Sequence, residues 1–462
     1  MPQPDLFGYD LAVSDRAASL AWNRTVLGFL THSADAADHL QQAISREPDF
    51  LLATVARGLF CLLLGRRELV ETAREAHRTA LSQRQRNGAG PRETLYLDSL
   101  GLWLQGRPLA AAARLEEVLT RFPADALALK LVHAIRFMMG DAKGMRASIE
   151  RVLPHYGEDH PAHGYVLGCH AFALEETGDL AAAEAAGRRA VAHSPDDAWG
   201  IHAVAHVHEM RGERERGIAW LTGRPQGWAH CNNFRYHMWW HLALMHLDRG
   251  EIDEVLALYD SRVRHEHTDD YRDISNGASL LARLEIEGVD VGERWHELAE
   301  LSAGRTEDDC LVFADLHYML SLVGDRREEA VEKLLRQLKQ RGARGESDMD
   351  TVTASAGVQS AEALHAYQHG NYGAAFRGLA AARPNLQSVG GSHAQRDVFE
   401  QLMIEAAMRA GLLEDARTLL DERLERRGGS DGFASRRLAM LAGALNDGSN
   451  SLAESSSVAH VL

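Results

Sequence analysis

Two pairs of histidines stand four residues apart on successive stretches of this chain, His202 with His206 and His237 with His241. On a helix, positions i and i+4 share a face, so each pair aims two imidazoles in one direction. Glu209 follows at i+7 from His202 and falls on the same face with Trp199 and Ala205, whereas His208 points elsewhere. Trp239 and Trp240 flank the second pair, with Asp248 further along its face and His246 on the opposite side. If the two helices are neighbours, about 8–10 Å apart, the four neutral ring nitrogens can hold a divalent transition ion at about 2.0–2.1 Å. His202, His206, His237 and His241 are therefore candidate metal ligands. Glu209 is then a further ligand or a base toward a bound water. The His-Glu-x-x-His signature does not occur, and the competing reading is a polar cavity lined by hydrogen-bonded histidines.

Two other segments carry chemistry-bearing residues. Gly390-Gly391-Ser392-His393-Ala394-Gln395-Arg396-Asp397 opens a helix with two glycines and a serine cap, a place where backbone amides and Arg396 can hold an anion. His393, Gln395, Arg396 and Asp397 are candidate ligand-binding residues there. The alternative is a flexible turn with an ordinary contact between Arg396 and Asp397. In Phe313-Ala-Asp315-Leu-His317, Asp315 and His317 diverge on a helix, so at most one faces a groove; His317 is the candidate to move a proton. Trp199 and Trp240 are candidate stacking platforms, set against packing between helices. His170, His265, His267 and His365 read as structural or solvated. No phosphate loop, dinucleotide fingerprint, nucleophile elbow or calcium loop occurs.

The elements that must position these side chains follow from a repeat. Glycines that end an apolar stretch fall at 65, 106, 140, 178, 212, 250, 324, 370 and 411, in steps of 41, 34, 38, 34, 38, 74, 46 and 41 residues. Most steps lie slightly above the 34 residues of a tetratricopeptide unit, and the 74 is about two units. Pro48, Pro123 and Pro195 close second helices, each followed by an Asp placed to cap the next. Ala, Leu, Arg and Glu at helical spacing dominate, and strand alternation is nearly absent. The expected fold is all-α, a tetratricopeptide-like α-solenoid of degenerate helix-turn-helix repeats in a single domain over 1–445, with a disordered Ser-rich tail over 446–462. Inner helices are expected at 49–64, 91–106, 125–140, 161–178, 196–211, 231–249, 308–324, 351–369 and 392–410, with loops at Arg341 to Asp350 and Arg427 to Gly432. Such an array curls and presents one helix of each pair to a concave groove.

Composition sets the context. The 462 residues carry 50 Lys+Arg against 66 Asp+Glu, a net charge of −16, with 45% apolar residues. That acidity argues against nucleic acid or an anionic membrane as partner. Four scattered cysteines signal neither a zinc ribbon nor a disulfide framework. With no leader-like start and no spanning apolar run, the expected location is the cytoplasm.

Four motifs in order, Asp197-Ala-Trp-Gly-Ile-His-Ala-Val-Ala-His-Val-His-Glu-Met210, His237-Met-Trp-Trp-His-Leu-Ala-Leu244, Gly288-Val-Asp-Val-Gly-Glu-Arg-Trp295 and Gly390-Gly-Ser-His-Ala-Gln-Arg-Asp-Val-Phe399, together resemble the tetratricopeptide repeat protein 38 family over nearly the whole chain. The resemblance implies an α-solenoid of degenerate tetratricopeptide-like pairs and no established reaction. Mapped by motif, His202, His206, His208, Glu209, His237, Trp240, His241, His317, Gln395, Arg396 and Asp397 match the family's pattern. Trp295 matches as well and is read as packing. Asn276 stands where that pattern leads one to expect an acid, and Ala282 where it leads one to expect an aromatic residue. The favoured function is binding of a peptide or small molecule in a His/Trp/Gln/Arg-lined groove. The alternative is a metal-dependent hydrolase or lyase using the paired histidines. No motif fixes a cofactor, a divalent transition metal being the one the histidines admit, and self-association is left open.

Overall fold

The computed structural model describes residues 3–443. The stretch expected to be a disordered tail lies outside the described residues. From Arg16 onward the chain runs as antiparallel helix pairs, beginning with Arg16–Thr31 and Ala36–Arg46 and reaching His393–Arg409 and Leu413–Arg426, after which 432–443 is again helical. Among the described residues the departures from an all-α chain are a two-residue antiparallel pairing of Gln3–Pro4 with Asp10–Leu11 and an isolated bridge between Ser33 and Cys231. The chain is thus a tetratricopeptide-like α-solenoid.

Local signals explain the helix ends. Gly65, Gly106, Gly140, Gly178, Gly212, Gly250, Gly370 and Gly411 all take a positive φ, the left-handed turn that lets a chain leave one helix and enter the next. Gly324 is the exception: it is the last residue of the helix Val312–Gly324, and Arg326 (φ 54°) makes the turn instead. The long step between Gly250 and Gly324 conceals Gly288 (φ 80°), which ends Tyr271–Ile286, an inner helix the glycine reading passed over. Asp125 and Asp197 cap helices as the proline punctuation suggests, accepting from the amides of Ala128 and Gly200 at 3.0 and 3.1 Å. Asp49 does not cap a helix; it pairs with Arg86 at the surface.

One expected loop is mostly helix. Glu328–Arg344 continues through the segment expected to begin a loop at Arg341, because Arg341 is buried and bonded to Asp315 and to Thr353. The chain turns at Gly345 and restarts at Ser347, whose hydroxyl and Asp350 form a reciprocal cap. The expected loop at 427–432 ends as helix 432–443 begins.

The solenoid winds tightly enough for its second turn to pack on its first. The Asp348 amide donates to the Gly106 carbonyl at 3.0 Å, Gln387 to the Gly140 carbonyl at 3.1 Å across 247 residues, and the His393 amide to Glu176 at 2.9 Å across 217 residues. Arg66 and Arg305 share Asp269, and Arg436 and Arg437 both bond Glu287. The concave groove expected of the curling array is therefore closed over into a cavity.

Candidate metal centre and cavity

Four inner helices, His163–Glu176, Ala198–Met210, Phe234–Asp248 and Tyr271–Ile286, lie side by side. The i, i+4 spacing puts His202 and His206 on one and His237 and His241 on the next, all four buried. Their Nε2 atoms converge: 202 to 206 at 2.9 Å, 202 to 241 at 3.0 Å, and 202 to 237, 206 to 241 and 237 to 241 each at 3.1 Å.

Five such contacts among four nitrogens exceed what hydrogen bonding can satisfy. A neutral imidazole nitrogen either donates one hydrogen or accepts on one lone pair, so at most two of the contacts are bonds. At least one of the others sets lone pair against lone pair or hydrogen against hydrogen, and the rest find their hydrogen or lone pair already taken. A cation at the centre removes that conflict, since each neutral nitrogen then offers its lone pair inward. Four nitrogens at about 2.0–2.1 Å from a tetrahedral ion lie about 3.3–3.4 Å apart, so the cage fits after opening by a few tenths of an ångström.

The rear nitrogens support the same assignment. His237 Nδ1 meets Asn276 Oδ1 at 2.9 Å, His241 Nδ1 meets Glu209 at 3.3 Å, and His206 Nδ1 lies 3.3 Å from Glu175. For His237 and His241 the acceptor behind the ring holds the hydrogen on Nδ1 and leaves the Nε2 lone pair free, the arrangement metal-binding histidines use. His202 Nδ1 and His206 Nδ1 are both buried without a hydrogen-bond partner among the described residues. Burial, reinforced by the neighbouring imidazoles, pushes His202, His237 and His241 well below the ordinary imidazole range, so they are neutral at physiological pH.

Behind His206 sits a second layer. Glu175 lies between His206 and His393, whose Nε2 is 3.0 Å away, while Glu176 meets His393 Nδ1 at 2.9 Å. Burial opposes the charged form of His393, yet the two carboxylates outweigh it and hold the imidazole well above its usual range. His393 is an imidazolium bracing two buried glutamates.

The cavity lies on the other side of the cage. It measures about 600 Å³, and His202, His237, Trp199 and Gln395 contribute to its wall. Exposed residues of the lining, Ala34, Ala37, Gln41 and Arg57, form its rim. Trp199 donates from its indole nitrogen to His133 at 3.1 Å and lies 5.0 Å, centroid to centroid, from the His202 ring.

Other residues singled out from the sequence sit behind this wall. Trp240 stacks on His237 at 5.0 Å and donates to Ser279 at 3.1 Å, supporting the cage. Glu209 is tied to His241. His317 bonds its own helix through the Phe313 carbonyl at 2.7 Å and packs between Phe313 and Phe399; burial lowers it to about 4. The amides around Ser392 are not free for an anion: Ser392 and Gln395 cap one another, and the His393 amide is taken by Glu176. Arg396 bonds the Gly391 carbonyl and faces Glu176 at 3.5 Å, and Asp397 is enclosed by Arg423 and Arg427. His208 bonds Glu213. Sequence reasoning missed Lys130, Glu175 and Glu176, although a signal existed. Counted back from the punctuating glycine, Glu175 and Glu209 each stand third, and Lys130 and His202 each stand tenth. Equivalent repeat positions face the same interior.

Fold and site together define a helical-repeat protein whose superhelix encloses a cavity faced by a four-histidine cage. No protein-family model matches the chain. Among solved structures it is similar to the Cut9–Hcn1 hetero-tetramer of the APC/C, at 13% identity over 92% of this chain and 76% of that one, TM-score 0.42. It is also similar to a human IFIT1 dimer with m7Gppp-AAAA, at 13% identity over 94% and 96%, TM-score 0.39. A third likeness is to Naa15/Naa10 bound to HypK-THB, at 14% identity over 95% and 68%, TM-score 0.26.

Proposed function

We propose that this protein binds a small molecule in its interior cavity, beside a divalent transition ion held by His202, His206, His237 and His241. The observation that carries the reading is the convergence of the four Nε2 atoms, five of whose pairs lie 2.9–3.1 Å apart, with hydrogen-bond acceptors behind His237 and His241 and Glu175 3.3 Å behind His206. Of the two ligand types expected, the small molecule is favoured. A cavity of about 600 Å³ falls in the range of small-molecule sites, and the second superhelical turn covers the face along which a peptide would lie. The same motifs that build the cage carry the resemblance to the tetratricopeptide repeat protein 38 family, and we assign the chain to that family on them.

Hydrolase or lyase chemistry draws support from one feature: His202 and His237 form the edge of the cage that faces the cavity, leaving an ion a side open to a further ligand. Against it, Glu209 is engaged behind His241, His317 is packed between aromatic rings, and the described residues of the cavity wall include no carboxylate to act as a base. Binding is the function the geometry supports best. The test is elemental analysis of protein purified without chelator or affinity tag. One equivalent of a transition ion is expected, lost in His206→Ala/His241→Ala, which takes one ligand from each pair. Metal-free wild-type protein that gains no thermal stability from added zinc, manganese, iron or nickel overturns the reading.

A further inference from the structure

Charge is distributed unevenly between the cavity and the rest of the molecule. In a chain of net charge −16, the cavity wall contains Arg57, Lys130 and Arg272 and, among the described residues, no aspartate or glutamate. Arg272 is committed, donating through Nε and Nη2 to Asp270 at 2.9 and 2.6 Å. Arg57 stands at the exposed rim. Lys130 is only 4% exposed.

The surroundings of Lys130 lack a counter-charge. Its Nζ donates to His32 Nε2 at 3.2 Å, approaches Cys169 Sγ at 3.7 Å and lies 4.6 Å from the centre of the Trp199 ring. Among the described residues no carboxylate comes within 4.0 Å of it. The buried Asp197 feels this ammonium, but burial pushes its carboxyl up to about 8, so it is mostly uncharged at neutral pH. A buried ammonium without an anion is costly, and this one faces a cavity where an anion can reach it. Around it, Phe29, Leu40, Ile44, Phe60, Leu63 and Phe137 make the wall apolar.

We propose that the cavity takes a small organic carboxylate with an apolar body, its head group held by Lys130 beside Trp199 and its hydrocarbon part lying against the apolar wall. This rests on the small-molecule reading of the cavity, though not on the metal. A single buried ammonium matches one negative charge. A phosphate monoester brings about −1.5 to −2 at neutral pH and is usually met by arginine forks.

Calorimetric titration of octanoate and 3-phenylpropanoate, against octan-1-ol, 3-phenylpropan-1-ol and octyl phosphate, tests it on both chelator-treated and metal-loaded protein. At least one acid is expected to bind one-to-one and about tenfold or more tighter than its alcohol. Lys130→Met should abolish that gap while keeping the alcohol's affinity. Failure of both acids to bind, equal binding of acid and alcohol, preference for octyl phosphate over octanoate, or an undiminished gap in Lys130→Met each overturns the proposal. Should that variant fail to fold by circular dichroism, the wild-type comparison decides alone. Acid binding by metal-free protein separates this proposal from the four-histidine centre, whose own failure shows in the elemental analysis.

Discussion

Asn276 is the residue at which the cage is most easily tuned. Its Oδ1 lies 2.9 Å from His237 Nδ1, where the family pattern leads one to expect an acid. An amide oxygen fixes the ring and its tautomer, as a carboxylate does, but adds no negative charge behind it. Glu209 supplies that charge behind His241. Replacing Asn276 by Ala, or Glu209 by Gln, should therefore weaken metal binding by about 10–100-fold with helicity retained, because both act through the ligands' orientation and basicity. Competition titration against a chelator of known affinity measures this. Unchanged affinity in both variants would mean that the rear contacts are incidental. Asn276→Asp should move affinity in the opposite direction.

At the scale of elements, the turns at the inner helices' C-termini have two duties. Each lets the chain reverse, and several also receive the next superhelical turn. Gly411 (φ 74°) does only the first: a Cβ there meets nothing within 4 Å, so Gly411→Ala should cost the left-handed strain alone, about 1–2 kcal/mol. Gly140 (φ 67°) does both, since a Cβ there runs into the Gln387 carbonyl. Gly140→Ala should destabilise the fold by at least about twice as much. Urea unfolding of the two variants decides, and equal losses would show that the packing between turns contributes little. The repeat was legible in the sequence because these glycines, and the Asp125 and Asp197 caps, are chemically marked. Tyr271–Ile286 escaped because its glycine, Gly288, stands in a Gly-Val-Asp-Val-Gly stretch that does not look like a helix boundary. The two histidine pairs were legible for the same reason as the glycines: i, i+4 spacing on one helix is a local property. What lay behind them was not local. Glu175 reaches His206 from another helix, and the covering of Gly140 and Glu176 by residues more than 200 positions later has no signature at either end.

Over the whole molecule, winding converts a repeat array into a container. Glu176 and His393 meet across the two turns, so the layer behind His206 exists only in the closed superhelix. The cage, its acidic backing and the cavity are therefore one construction, in which an ion bound as proposed would add its binding free energy to the folded, closed state. X-ray absorption at the metal edge of untagged protein tests that construction most directly. Four nitrogen scatterers at about 2.0–2.1 Å, with the outer-shell pattern of imidazole, are the predicted result. A first shell of sulfur, or one dominated by carboxylate oxygen, would contradict it.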